Sequence, residues 1–215
     1  MNGSSDQEEQ MRVLSVVAGA AAALLFVVAP ARAQPLIVAE VEAPGINCVF
    51  APSCTITVND SVGFIPLPYL AAPNAAFLQS RTVLGAAGTP AEGKAGYIYR
   101  ISLTQAEGTA DCLGGLVLNF GPALRLPFKP GQLADMFVIT GGGLGTIGLK
   151  SANRFGDVIV FELAKPLCLA GGADMHNTTF FFGLAAEAAT MTTSAQIFSR
   201  GTPPLYSVQA RVPVH

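Results

Sequence analysis

The chain has 215 residues, of which 51% are hydrophobic and only 12% charged. From Gln34 onward ten Lys and Arg face eleven Asp and Glu, evenly scattered, so there is no basic stripe for nucleic acid and no polybasic patch for anionic lipid. The remaining length of about 180 residues is enough for one domain with a substantial core.

Residues 11–33 read MRVLSVVAGAAAALLFVVAPARA. A basic residue, an apolar run and the small-x-small triplet Ala31-Arg32-Ala33 follow in the order of a secretory signal peptide. Residues 1–10 carry Asp6, Glu8 and Glu9 where positive charge belongs. Met11 is therefore the expected initiator, residues 1–10 an extension, and Gln34 the expected first residue of the exported chain. An uncleaved anchor is the alternative, but the run is at the short limit for spanning a bilayer, and no second run of that length follows, so no membrane span is expected after cleavage.

Strand signals then dominate. In chain order the runs are PLIVAEVEA, CTITVND, SVGFIPL, GYIYRISLT, GLVLNFG, DMFVIT, DVIVFELA, TTFFFGLA, AQIFS and YSVQARV, rich in Val, Ile, Phe and Tyr and separated by Gly, Pro and Asn. Within GYIYRISLT, Tyr97, Tyr99, Ile101 and Leu103 share one parity, and Ile98, Arg100, Ser102 and Thr104 the other. That is the pattern of a sheet with one buried face. Residues 66–93, rich in Ala, Pro and Gly, read as a long surface connection. GLAAEAATM, residues 183–191, is the best helical candidate, and at most one or two short helical turns are expected. The fold class expected is all-β: residues 34–215 as one antiparallel two-sheet β-sandwich.

Four cysteines, Cys48, Cys54, Cys112 and Cys168, fit an oxidising compartment. Of the three pairings available, Cys48 with Cys54 and Cys112 with Cys168 are expected. The first closes the short loop CVFAPSC, and the second joins the edges of two strand-like runs. A zinc site is the alternative, but neither His176 nor His215 stands at ligand spacing.

Candidate chemistry is sparse. Gly143-x-Gly145-x-x-Gly148 follows the apolar run MFVIT, and Glu162 lies nineteen positions after Gly143, which imitates a dinucleotide fingerprint. The fingerprint needs a helix opening from the glycines, and LKSANRF is too short for a crossover helix. The segment therefore reads as Met136 to Thr140 extended, then a turning or irregular stretch to Gly148. No G-x-S-x-G elbow or S-x-x-K pair occurs, and His176 and His215 are the only histidines. Asp111, Asp135, Asp157, Glu162 and Asp174 are the carboxylates considered for glycoside chemistry or calcium. Asp111, Asp135 and Asp157 flank strand-like runs, where acidic residues commonly serve turns. Tyr97 and Tyr99 would form a sugar platform if their face were exposed, and a packed face if it were not. Sequons at Asn59 and Asn177 matter only in a eukaryotic secretory pathway.

GYIYRISLTQ, CLGGLVLNFG, DMFVITGGGLGTIG, VIVFELAKPLC and TTFFFGLA, in that order, resemble a loosely characterised group of exported bacterial proteins, some carrying a PEP-CTERM sorting signal. The likeness covers residues 96–186. It implies an extracytoplasmic β-domain and no particular activity. The segment SVQARVPVH has neither the apolar helix nor the basic tail of the sorted members, so sorting by that route is not expected. Together these readings predict a secreted, periplasmic or surface-held interaction module. It would have no catalytic residue and no cofactor or metal, and its partner would be a protein or glycan. A carbohydrate- or calcium-binding module and a secreted hydrolase are the alternatives.

Overall fold

A strand buries a face when large apolar side chains recur at every second position, and in the computed structural model of the chain most of the alternating segments are strands. The structure describes residues 32–109, 112–169, 177–187, 189–200 and 205–215. Met11 and the apolar run of the expected signal peptide, together with Asp111, Asp174 and His176, lie outside the described residues.

In chain order the strands are β1 (Gln34–Pro35), β2 (Val38–Glu42), β3 (Asn59–Phe64), β4 (Phe77–Leu84) and β5 (Lys94–Ser102). Next come β6 (Leu113–Asn119), β7 (Leu126–Lys129), β8 (Gln132–Ala134), β9 (Met136–Gly141) and β10 (Leu149–Phe155). The last four are β11 (Val158–Leu167), β12 (Phe182–Glu187), β13 (Thr190–Ser199) and β14 (Leu205–Pro213). One sheet has the order β1-β10-β11-β6-β13-β14, here called the first sheet, and the second the order β2-β9-β12-β5-β4-β3. A small β7-β8 hairpin stands apart from both. Pairing is antiparallel except between β2 and β9, which run parallel. The fold is a β-sandwich, as the alternation predicts, with one parallel pair at an edge. Among the described residues no helix is long and apolar enough to cross a membrane.

The core lies between the sheets. Tyr97, Tyr99 and Ile101 of β5 and Phe182 and Leu184 of β12 meet Leu116 and Leu118 of β6, Phe161 of β11 and Ile197 of β13. Phe120 stands edge-on to Tyr97 at 5.4 Å and 88°, and Phe161 lies 5.0 Å from Phe182. Both tyrosine hydroxyls find partners at the rim: Tyr99 donates to the Arg211 carbonyl at 2.6 Å and Tyr97 to that of Ala189 at 2.8 Å.

Part of the outer face of the second sheet is also buried, which alternation in β5 alone does not announce. Val83, Ile98, Phe137, Ile139 and Ala185 point outward and are covered by Ile46, Val49 and Phe50 and by Phe128 and Ala134 of the hairpin region. Gly96 makes this close approach feasible, because a Cβ there would stand 2.7 Å from the Phe50 ring. Each such aromatic gains roughly 2–3 kcal/mol by leaving water.

Several expectations are corrected. Residues 66–93 are not one long connection: FLQSRTVL within them is β4, an inner strand paired with β3 and β5. Its alternation is masked because Ser80 sits on the buried parity between Leu78 and Thr82. CTITVND contributes only Asn59 and Asp60 to β3, while Ile56 and Val58 pack half-buried against the outer cluster. Of GLAAEAATM, whose first three residues also end the strand-like run TTFFFGLA, residues 183–187 close β12 and Thr190 and Met191 open β13, because Gly183, Leu184, Ala185 and Ala186 are buried on alternate faces of an inner strand. The one helical segment among the described residues is the 3-10 turn Gly45–Val49. LKSANRF, too short for a crossover helix, is strand β10.

Disulfides join Cys48 to Cys54 and Cys112 to Cys168, as expected, so the zinc alternative falls. The second bond lies beside the Leu113–Leu167 pair and ties the start of β6 to the end of β11.

Candidate functional site

Directly opposed residues of antiparallel strands carry their side chains on one face, and the registers of β3, β4 and β5 set three rows across the outer face of the second sheet. The first row is Asp60, Arg81 and Ile98, the second Val62, Gln79 and Arg100, and the third Phe64, Phe77 and Ser102. Phe181, just ahead of β12, joins them. Its approach is pinned by hydroxyls and amides: Ile101 N donates to Thr179 Oγ1 at 2.9 Å, Thr178 Oγ1 donates to the Ile101 carbonyl at 3.0 Å, and Ile139 N donates to the Phe181 carbonyl at 2.8 Å.

Phe181 is buried, and two guanidinium groups lie against it. The Arg81 Cζ is 4.5 Å and the Arg100 Cζ 4.9 Å from its ring centroid, with Phe77 5.9 Å from Arg100. Such cation–π contacts favour a desolvated cation, but they do not neutralise it. Asp60 Oδ1 accepts from Arg81 Nε at 2.8 Å and from Gln79 Nε2 at 3.1 Å. Arg100 makes no ion pair among the described residues. Its Nε is buried without a hydrogen-bond partner, and so is Gln79 Oε1. Burial holds Arg100 below the ordinary guanidinium pKa; repulsion from Arg81 acts the same way, and Asp60 opposes them.

A groove of about 310 Å³ runs beside this cluster. Arg81, Ile98, Ile139 and Phe181 form its floor, Asn47, Ile56 and Val58 one wall, and Gly142, Gly143 and Leu144 the other. The Cys48–Cys54 bond closes the loop between Asn47 and Ile56, and so draws together the two chain segments that form the first wall. The second wall is the glycine segment singled out in the sequence. β9 ends at Gly141, and the chain then turns without a helix until β10, as the sequence predicts. Gly145 has φ +108°, and a Cβ there would collide with the Thr179 carbonyl oxygen; only glycine tolerates both conditions. A larger hollow of about 630 Å³ lies among Glu40, Glu42, Phe128 and Lys129, but its charged groups are all exposed, the ordinary state of surface charge.

The sequence candidates are dispersed. Asp135 is buried and fully engaged, taking Arg125 Nε at 2.9 Å, Arg125 Nη2 at 3.2 Å and the Ile37 amide at 2.7 Å. Glu162 faces Lys150 and Ser151 on β10, not the glycine segment. Lys150 holds its carboxyl below the usual range. The Asp157 carbonyl accepts from the Phe120 and Gly121 amides at the β10–β11 turn. His215 Nδ1 lies 3.2 Å from the Pro213 carbonyl oxygen. Among the described residues no three His, Cys, Asp or Glu groups gather as a metal site. Tyr97 and Tyr99 are fully buried, so they form no sugar platform.

The residues missed by sequence reasoning are Arg81, Arg100, Gln79 and Phe181. Arg100 leaves a faint signal, being the single charge within the strand-like run GYIYRISLT, whereas Arg81 leaves none, because its segment reads as a connection. Comparison of the chain with protein-family models, with curated proteins and with solved structures finds no match.

Proposed function

We propose that this protein is an exported, non-enzymatic module that binds a partner through the outer face of its second sheet. The observation that carries the reading is the Arg81–Phe181–Arg100 cluster, two guanidinium groups against one buried ring with a single carboxylate beside them. Arginine and aromatic residues in desolvated surroundings are what binding hot spots are made of. The surface around the cluster fits that role, since Val62 is 47%, Phe64 50% and Leu144 58% exposed. Two disulfides are compatible with an oxidising extracellular compartment, and the signal-like residues 11–33 support export.

The test is site-directed photo-crosslinking in the cell of origin. A photoreactive residue at Phe64 is expected to capture an extracytoplasmic partner, and one at Thr192, exposed on the first sheet, is not. Capture should disappear when Arg81 and Arg100 are both changed to Ala. Equal capture from both positions, or capture indifferent to the arginines, would overturn the reading. Sequencing of the exported chain is expected to find Gln34 at its amino terminus.

A further inference from the structure

We propose that the cluster receives an acidic side chain of a partner protein, its carboxylate held by Arg100 and Arg81 and its apolar neighbours resting on Val62 and Phe64. The inference rests on the binding-module reading and supplies its ligand chemistry. Charge sets the valence. Asp60 already pairs with Arg81, so Arg81, Arg100 and Asp60 together leave one positive charge, which a single carboxylate balances. A phosphate or sulfate dianion would overcharge the cluster and press against Asp60.

Hydrogen-bonding capacity sets the rest. Arg100 Nε is a buried donor without an acceptor, and across the strand pair Gln79 Oε1 is a buried acceptor without a donor, on a side chain 9% exposed. Buried polar groups in folded proteins are nearly always satisfied. Both atoms are closed to solvent in the free chain, so a partner residue meets them only as the two side chains turn outward on binding: its carboxylate then takes the guanidinium and its amide N–H the Gln79 oxygen. A free inorganic anion complements only the guanidinium. Exposed Val62 and Phe64 on the adjacent strand β3 then favour apolar residues on either side of the acid.

The probes are acetyl-Leu-Glu-Leu-amide and its isosteric partner acetyl-Leu-Gln-Leu-amide, titrated into nitrogen-15-labelled protein at neutral pH. The Glu peptide is expected to shift the Arg100 Nε–Hε signal and the amides of β3 and β4, and to bind at least tenfold more tightly than the Gln peptide. Arg100→Met should weaken the Glu peptide about tenfold. Asp60→Asn, which releases Arg81 and removes a competing carboxylate, should tighten it severalfold. Equal affinity of the two peptides at this face would overturn the acidic ligand while leaving the binding-module reading intact. No shift of these signals at millimolar peptide, or an unchanged affinity in both variants, would overturn the proposal outright. Conversely, Glu-selective binding without any crosslink from Phe64 would keep the chemistry and discard the module reading.

Discussion

Tyr99 carries its hydroxyl across the space between the sheets to the Arg211 carbonyl, while Arg211 reaches back with Nη1 to the Asn59 carbonyl at 2.6 Å and to Thr82 Oγ1 at 3.3 Å. That link holds β14 beside β3, and β3 in turn presents Asp60 to Arg81. Burial raises the Tyr99 phenol well above its ordinary pKa, and Tyr97 adds to the effect. In the unfolded chain a tyrosine ionises near pH ~10, so above that value the unfolded state binds fewer protons than the native one. The Tyr99 contribution is therefore complete below about pH 10 and is lost as pH rises through the folded value. Tyr99→Phe is expected to cost about 1 kcal/mol at neutral pH by orphaning the Arg211 carbonyl, and to flatten the decline of stability above pH ~10. Tyr97, also raised by burial, keeps part of the slope. Urea unfolding at neutral and alkaline pH measures both effects, and a variant with an unchanged alkaline slope would contradict the assignment.

At the scale of elements, the glycine segment between β9 and β10 acts as a wall whose shape depends on one residue more than the others. Ile147 N donates to the Thr178 carbonyl at 3.2 Å and Phe180 N to the Ile147 carbonyl at 2.9 Å, so the segment lies directly on the chain leading to Phe181. Gly145 has no room for a side chain there, whereas a Cβ at Gly148 would meet only Phe180 Cδ2 at 3.8 Å. Gly145→Ala should therefore destabilise the fold by about 3 kcal/mol or more, through a positive φ and a backbone collision. Gly148→Ala should change stability by less than about 0.5 kcal/mol. Thermal unfolding of the two variants distinguishes a shaped wall from a slack connection, since a slack connection would tolerate both.

At the scale of the whole molecule, the two disulfides constrain very different lengths of chain, with sequence separations of 6 for Cys48–Cys54 and 56 for Cys112–Cys168. Restricting the unfolded chain is worth more for the longer loop: about 4 kcal/mol against about 2 kcal/mol on the chain-entropy account. Replacing Cys112 and Cys168 by Ser should accordingly lower stability about twice as far as replacing Cys48 and Cys54. A reversed order would show that the short loop contributes through native packing over Phe50 and not through chain entropy. The sandwich depends on contacts distant in sequence, since β6 pairs with both β11 and β13 and β9 with both β2 and β12.

Much of this was local and therefore readable in advance. The sequence alone determined the all-β character, both cysteine pairings, the extended Met136 to Thr140 and the absence of a helix after it, because alternation, short loop closure and a run of glycines act over a few neighbouring residues. It also put Tyr97 and Tyr99 on one face of their strand. Tertiary structure decided what period-two alternation cannot encode: which strands lie side by side, and whether a third layer covers a face. Arg100 falls on the polar parity of its strand and reads as solvated. Only the registers of β3, β4 and β5, and the arrival of Phe181 from eighty-one positions downstream, turn it into a desolvated cation beside Arg81, because pairing between distant segments is set by the packing of the entire core.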